Sequence, residues 1–180
     1  MKTLRQLIDQ DFNAGLALLP LAMSRNLPQV QVQLLTTHLQ ESPNQDQCQI
    51  VAGQKPGVCG PARGIFQFEK GGGVAGVMQH HSTRVAAAEV CRLLKIPATV
   101  EAVYDALRTT DDALDVAFAR MLYWTDKDPL PKFGDVSGSW EYYVRTWRPG
   151  AFANGTPAAR VALRKKWAQN YARAMDAVLG

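Results

Sequence analysis

The chain has 180 residues, of which 47% are hydrophobic and 20% are charged, so it can bury a full core and does not have the composition of a disordered protein. Twenty Lys and Arg against 16 Asp and Glu give a formal net charge of +4, which favours loose association with a polyanion such as an acidic cell wall. The sequence has no long basic run, no nucleic-acid-binding motif and no long apolar segment, which argues against nucleic-acid binding and against stable membrane insertion.

The N-terminal segment predicts a helix and not a signal peptide. Apolar residues recur there at helical spacing, at Leu4, Leu7, Ile8 and Phe12. Pro20 is expected to bend or end this helix. The apolar run over 14–23 is short and follows Asp9 and Asp11, which is a poor match to a signal sequence. We therefore expect the protein to be made in the cytoplasm, so that another component would have to carry it out of the cell.

A second helix is predicted to begin near Asn26 and to end at Glu41. Asn26 is the expected N-cap, and Pro28 then lies in the first turn, where proline is tolerated. The helix must stop at Ser42 because Pro43 follows it. Glu41 is therefore expected at the C-terminal end of this helix.

The segment 44–63 is rich in Gly, Pro, Gln and Asp and predicts a loop or a short hairpin, the only place where we expect strands. After it come the run Gly64-Ile65-Phe66-Gln67-Phe68 and three glycines at 71–73. Further helices are predicted at about 83–95, 99–108, 110–124, 137–147 and 157–178. We treat residues 1–180 as a single, mainly α-helical domain on which the C-terminal helix, about 157–178, packs with a solvated basic face.

The three cysteines cannot all pair within one chain. Cys48 and Cys59 flank a glycine-rich segment that could turn back on itself, so a short-loop disulfide is conceivable. Cys91 lies in a helical stretch, where a buried thiol is expected. We favour free thiols at Cys48 and Cys59 as well, which is typical of a protein made for a reducing compartment.

Glu41 is the candidate for acid chemistry. The negative end of the helix dipole raises the pKa of a carboxyl group placed there. Burial against apolar walls, for which Phe66 and Phe68 are candidates, raises it further. A carboxylic acid that stays protonated near neutral pH can donate its proton to a glycosidic oxygen. A glutamate at a helix end is more often simply solvated, so the helix alone does not establish this role.

Two sets of residues carry a resemblance to known families. Glu41-Ser42 followed by Gly64-Ile65-Phe66-Gln67 resembles the E-S…G-L-M-Q signature of lytic transglycosylases and goose-type lysozymes, with Ile-Phe in place of Leu-Met. The stretch 14–150 also resembles lysozyme-like proteins encoded by bacteriophages and prophages. The runs that resemble this group are AGLALLP (14–20), LQES (39–42), GPARGIFQFEKGGGVAGV (60–77), FARMLYWTDKDPLP (118–131) and WEYYVRTWRPG (140–150).

The resemblance implies a mainly α, lysozyme-like fold with a small loop or β-hairpin as one lip of a groove. It also implies cleavage of the β-1,4 bond between N-acetylmuramic acid and N-acetylglucosamine in peptidoglycan, with no cofactor. The partners would be bacterial glycan strands, and components of a phage virion or lysis system that bring the protein from the host cytoplasm to the wall.

The resemblance assigns roles to individual residues. Glu41 would be the general acid, and Ser42 would steady it or the substrate. Gly64 would let the backbone approach the sugar, as a missing Cβ permits, and Phe66 would form an apolar wall. Gln67 would be a hydrogen-bonding wall of the groove.

A tyrosine is also expected near the acid. Tyr142 or Tyr143 would take the place of the tyrosine in the third family motif, A-Y-N. This chain has Glu-Tyr-Tyr with no asparagine after it, so which tyrosine faces the site stays open.

A second carboxylate is not obvious in the sequence. Candidates are Asp46, Glu69 and the pair Asp111-Asp112, of which the pair is more simply interpreted as acids of a first helical turn. A hydrolase needs such a partner. A lytic transglycosylase does not, because the 6-hydroxyl of the muramic acid attacks and one carboxyl acts first as acid and then as base. This gap favours transglycosylase chemistry modestly and leaves hydrolysis open.

The histidines and the aromatic stripe are weaker indications of a functional site than the residues above. His38, His80 and His81 have no metal-site spacing, so we expect polar surface residues and no metal. Trp140, Tyr143 and Trp147 form a helical stripe that is more typical of a core than of a sugar platform.

Two rival functions remain. The first is a non-catalytic virion protein that keeps the fold, for which a collapsed groove or a salt bridge from Glu41 to an arginine such as Arg63 would be the signature. The second is an enzyme acting on a related polymer such as chitin.

Overall fold

The computed structural model describes residues 1–51, 53, 55, 58–109 and 112–180. Its central element is helix α7 (Asp112–Trp124), in which every residue from Asp112 to Tyr123 is buried. Because this segment is apolar on nearly all sides, it is stable only when other elements surround it. The N-terminal helical segments pack against it, and so do the helices α3 (Pro28–Glu41), α4 (Ala75–Gln79), α5 (Arg84–Leu93), α6 (Val100–Thr109) and α8 (Val136–Trp147).

The chain begins with three consecutive helical segments that bury Leu7, Ile8, Phe12 and Leu16. They are α1 (Leu4–Gln6), a π-helical segment (Leu7–Phe12) and α2 (Asn13–Ala17). Helix α3 spans Pro28–Glu41. The N-cap of α3 is Leu27 and not Asn26 as predicted. Asn26 lies one residue before the cap, and its side-chain amide donates to Asn13 Oδ1.

Five of the remaining helices lie close to the positions predicted at about 83–95, 99–108, 110–124, 137–147 and 157–178, whereas the short helices Ala75–Gln79 and Gly150–Ala153 were not predicted. After a π-helical turn (Lys70–Val74) the helices are α4 (Ala75–Gln79), α5 (Arg84–Leu93), α6 (Val100–Thr109), α7 (Asp112–Trp124), α8 (Val136–Trp147), α9 (Gly150–Ala153) and α10 (Pro157–Leu179). None of the helices in the described part of the chain is long and apolar enough to cross a membrane. The protein is therefore mainly α-helical, with one small sheet.

That sheet has three antiparallel strands in the order β1-β2-β3. Strands β1 (Cys48–Ile50) and β2 (Cys59–Arg63) form the predicted hairpin. Strand β3 (Phe68–Glu69) lies outside the segment where strands were expected. It pairs with β2 through Ala62 and Arg63, and two residues are too few to leave a periodic pattern in the sequence.

Cys48 and Cys59 form a disulfide bond, so the preference for free thiols was wrong. The antiparallel pairing of β1 with β2 brings the two Cα atoms to 5.5 Å, which is within the range that a disulfide spans. Cys91 is a buried free thiol in α5, as predicted. Because β1 and β2 form one side of the groove described below, the disulfide fixes the shape of that side.

The C-terminal helix α10 packs along α3. The side chain of Asn170 donates to Gln40 Oε1 at 3.0 Å, and Lys166 Nζ donates to the Gln40 carbonyl oxygen at 2.8 Å. Trp167 is fully buried between Trp140 and Tyr143. These contacts hold the end of α3, where Glu41 lies, against the last helix of the chain.

Candidate active site

A groove of about 700 Å³ opens at the C-terminal end of α3, a size typical of ligand sites. Glu41 lies in one wall, and the small sheet with Gln67 and Glu69 forms the opposite lip. Glycines 72, 73 and 76 line another side, and the floor comes from the ends of α7 and α8 with Trp147. Four separate parts of the chain thus surround one carboxyl group.

Glu41 is partly buried at the end of α3. Burial raises the pKa of Glu41 from 4.5 to about 7, against the opposing effects of a hydrogen bond from Tyr143 and of the Lys166 charge. The negative charge of Glu69 raises this pKa further. A carboxyl group with a pKa of about 7 is both protonated and ionised in useful amounts near neutral pH, so it can give and take a proton.

The Glu41→Gln variant is expected to be more stable than the natural protein in alkaline solution. Between pH 4.5 and about 7 the folded protein keeps a proton on Glu41 that the unfolded chain has released, so this group lowers stability as the pH rises. Glutamine removes that cost, about 3 kcal/mol well above pH 7. Urea unfolding of both proteins at about pH 4 and about pH 8.5 measures the difference. An equal difference at both pH values would contradict the raised pKa.

One side chain contacts the Glu41 carboxyl group, and a second acts on it through its charge. The Tyr143 hydroxyl donates to Glu41 Oε1 at 2.5 Å, so Tyr143 is the tyrosine that meets the acid. Lys166 reaches the same helix end from α10 and lowers the pKa of Glu41 through its charge. Among the described residues, no cation lies at ion-pair distance from Glu41.

Tyr142 lies away from the acid. It is buried, and its hydroxyl donates to the carbonyl oxygens of Tyr123 and Asp128. Successive residues on a helix point about 100° apart, so Tyr142 and Tyr143 of α8 cannot both face the groove. The choice of tyrosine that the sequence left open is therefore decided by the packing of α8.

The segment Gly64–Gln67 connects β2 to β3 beside the acid. Gln67 lines the groove, and its side-chain amide donates to the carbonyl oxygens of Gly64 and Asp46 at 2.9 and 3.1 Å. Gly64 has a φ of +69°, and a Cβ there would collide with Asp115 Oδ1. A glycine is needed here because the backbone approaches a buried carboxylate of α7. Gly64 does not line the groove, which differs from the sugar contact predicted for it.

His38 lies one turn before Glu41 and is fully buried, so the prediction of a surface residue was wrong for it. Its Nδ1 lies 3.1 Å from the Ile65 carbonyl oxygen and must donate, because a carbonyl can only accept. Burial lowers the pKa of His38. This hydrogen bond ties α3 to the segment Gly64–Gln67. His81 is exposed and His80 is partly buried at the groove rim.

Ser42 and Phe66 are both buried outside the groove lining, which differs from the substrate contacts predicted for them. The Ser42 hydroxyl accepts a hydrogen bond from the Asp46 backbone N–H at 2.7 Å and so shapes the turn after α3. Phe66 packs against His38 and Trp147. Phe68 is the phenylalanine that reaches the groove wall.

Among the candidate second carboxylates that the structure describes, Glu69 is the one that lines the groove with Glu41. Asp46 lies in the turn after α3 and does not line it. Asp112 is buried, accepts a hydrogen bond from Gln47 and forms a salt bridge with Lys2 at 3.1 Å, which supports the structural interpretation of this residue. Asp111 lies outside the described residues.

The aromatic stripe of α8 divides between core and groove. Trp140 and Tyr143 are buried with Trp167 in a small aromatic cluster, as predicted for a core stripe. Trp147 is only partly buried and lines the groove. Its indole therefore offers an apolar surface beside Glu41. This is the position of a sugar platform, which was the less favoured of the two interpretations of this stripe.

Lys166 and Arg148 belong to the site without having been predicted. Lys166 is 126 residues beyond its hydrogen-bond partner Gln40, so no local pattern could connect the two. Arg148 lines the groove with a left-handed backbone at φ +48°, which caps α8. The Pro149-Gly150 pair after it was a visible sign that the helix ends there, but not that a groove begins.

Within the described part of the chain, no three His, Cys, Asp or Glu side chains are grouped in a way that could hold a metal ion. The polar groups of the site include carboxyl, hydroxyl, amide, imidazole, guanidinium and ammonium groups. Comparison of the chain with protein-family models, curated proteins and solved structures found no match.

Proposed function

We propose that this protein cleaves the glycan strands of peptidoglycan at the β-1,4 bond between N-acetylmuramic acid and N-acetylglucosamine, with Glu41 as the general acid. The observation that carries the proposal is a partly buried carboxyl group with a pKa of about 7 in an open groove. A lysozyme-like fold is part of the same proposal. The helix that ends in Glu41, beside a small sheet forming one lip, is what the resemblance implied.

The proposed reaction begins with the protonated form of Glu41. Its proton passes to the glycosidic oxygen as the bond to the sugar carbon breaks, and the sugar carbon becomes cationic. Glu41 is then a carboxylate, which the hydrogen bond from Tyr143 and the nearby charge of Lys166 stabilise. Both groups therefore help the proton to leave and keep the resulting charge near the cationic sugar.

The second half of the reaction can follow either of two courses. In a lytic transglycosylase, ionised Glu41 takes the proton from the 6-hydroxyl of muramic acid as that oxygen closes an anhydro ring. In a hydrolase, a second carboxylate assists water, and Glu69 is the residue in the groove with that chemistry. The end group of the released fragment distinguishes the two courses.

Two features favour an enzyme over a virion protein that has lost its activity. The groove is open and not collapsed. Arg63, the arginine considered as a partner for Glu41, instead donates to the carbonyl oxygens of Gly60 and Ala62 and lies over the ring of Tyr104. Glu41 lines the groove and has no ion-pair partner among the described residues, which supports the enzyme over the inactive virion protein.

Mass spectrometry of fragments released from purified peptidoglycan tests the proposal. Anhydromuramic ends would identify a transglycosylase and reducing muramic ends a hydrolase, provided that Glu41→Gln releases neither. Chitin oligomers serve as a second substrate. If the protein cleaves only chitin, the peptidoglycan assignment is wrong while the glycosidase chemistry stands. If nothing is cleaved, the enzyme proposal fails and the structural role takes its place.

Tyr143→Phe is expected to shift the alkaline limb of the pH–activity profile upwards by about 1 unit and to lower the maximal rate by about tenfold. The variant removes a hydrogen bond that favours ionised Glu41, so the acid keeps its proton to higher pH. Fragment release measured across pH gives both values. Tyr142→Phe is the matched control, because the Tyr142 hydroxyl binds backbone carbonyls away from Glu41. A downward shift in Tyr143→Phe would contradict this role.

A further inference from the structure

A second cleft of about 460 Å³ adjoins the groove. His80 and Thr125 line both cavities, so the cleft and the groove are neighbours. The rest of the cleft is formed by His81 and Ser82, by the end of α7 with the loop after it, and by Arg145 of α8. A ligand in the groove that extends past His80 and Thr125 would reach this cleft.

Trp124 is the apolar surface of the cleft. It is partly buried, and the guanidinium of Arg120 lies 4.9 Å from the centre of its ring. The Trp124 carbonyl oxygen accepts from Ser82 Oγ. Its indole N–H has no hydrogen-bond partner in the described part of the chain and is not among the buried unpaired atoms, so this donor reaches solvent. Trp124 thus combines an anchored ring with a free donor.

The charged side chains of the cleft neutralise one another. Asp126 accepts from Arg145 Nε at 2.6 Å and from the Asp128 backbone N–H at 2.9 Å. Arg145 also lies 3.5 Å from Asp128, and Lys127 lies 3.1 Å from the same carboxylate. The guanidinium of Arg145 is further fixed over the Tyr142 ring. The cleft therefore offers polar atoms whose charges compensate one another.

From these observations we infer that the cleft binds further sugar residues of the same glycan strand, beyond those at Glu41. A pyranose has one apolar face, suited to the Trp124 ring, and a rim of hydroxyl and acetamido groups, suited to the indole N–H, Asp126 and Arg145. A charged peptide stem would instead need an unpaired charge opposite it. The inference rests on the proposed function, because it assigns the neighbouring part of the same substrate.

The test is calorimetric binding of glycan strands to the Glu41→Gln protein, which cannot shorten them. The strands range from a disaccharide to an octasaccharide and are used with and without stem peptides. Affinity is expected to rise by about tenfold once the strand is long enough to enter the cleft. Trp124→Leu should lose this increase and keep the affinity for the disaccharide. Trp147→Leu, in the groove itself, should weaken the binding of every length.

Trp124→Phe keeps an aromatic ring over Arg120 and loses only the N–H and part of the ring surface, so it should fold and lose about threefold in affinity for long strands. If short strands bind, but the affinity changes neither with strand length nor on substitution of Trp124, the inference is wrong and the proposed function stands. The inference is equally wrong if the Trp124 variants weaken only peptide-bearing strands. If no strand binds and the natural protein releases no fragments, both the function and the inference fail.

Discussion

Replacing Glu41 by Gln is expected to reduce the release of glycan fragments by about 10³-fold or more. Glutamine has nearly the same shape and can still accept the hydrogen bond of Tyr143, but it cannot donate a proton to a glycosidic oxygen. The loss should therefore appear in the rate of bond cleavage and not in the affinity for the strand. Rates from chromatography of soluble fragments, set beside calorimetric affinities, separate the two.

Glu69→Gln is the matched comparison for this variant, because Glu69 lines the same groove and its charge raises the pKa of Glu41. If Glu69 assists water, this second variant also loses most of its activity. If the reaction needs one carboxyl group, Glu69→Gln keeps its activity and its pH profile shifts to lower pH, as the pKa of Glu41 falls. A Glu41→Gln protein with unchanged activity would show that Glu41 is not the acid.

Gly64→Ala is expected to lower the free energy of unfolding by about 3 kcal/mol or more. The new Cβ would collide with Asp115 Oδ1, and the backbone at φ +69° is one that residues with a side chain rarely adopt. Asp115 is fully buried in α7, so it cannot move away cheaply. Urea unfolding followed by circular dichroism measures the change.

Gly134→Ala is the control for the backbone contribution. Gly134 has a φ of +89°, and a Cβ there would meet nothing within 4 Å, so the substitution should cost about 1 kcal/mol. The difference between the two variants in the free energy of unfolding measures the cost of the contact with Asp115. Equal losses would show that the close approach at Gly64 is not as described.

The helices could largely be predicted because their boundaries carry local signals. Helix α10 begins at Thr156-Pro157, where the threonine side chain accepts from Ala159 N, and such a cap is visible in the sequence. Helix α3 ends at Glu41 because Pro43 follows. Strand β3 could not be predicted, since its pairing with β2 across Ala62 and Arg63 is what makes it a strand.

The position of the candidate acid, Glu41, at the end of its helix could be predicted, whereas its surroundings could be predicted only in part. Glu41 was marked by the end of its helix and by the motif at Gly64–Gln67. The choice of Tyr143 over Tyr142 depends on the rotation of α8 in the core, which the sequence does not reveal. Burial of His38 likewise follows from the packing of the segment at Ile65 against α3. The disulfide depended on a strand pairing that local composition left open.

The contact between α10 and α3 also bears on the order in which the molecule folds. Gln40 and Asn170 lie 130 residues apart, and closing so long a loop costs entropy that only the finished contact offsets. The helix that ends in Glu41 therefore gains this support only after α10 has been synthesised. A nascent or truncated chain without α10 would lack the Lys166 and Asn170 contacts that steady Gln40, the residue next to Glu41.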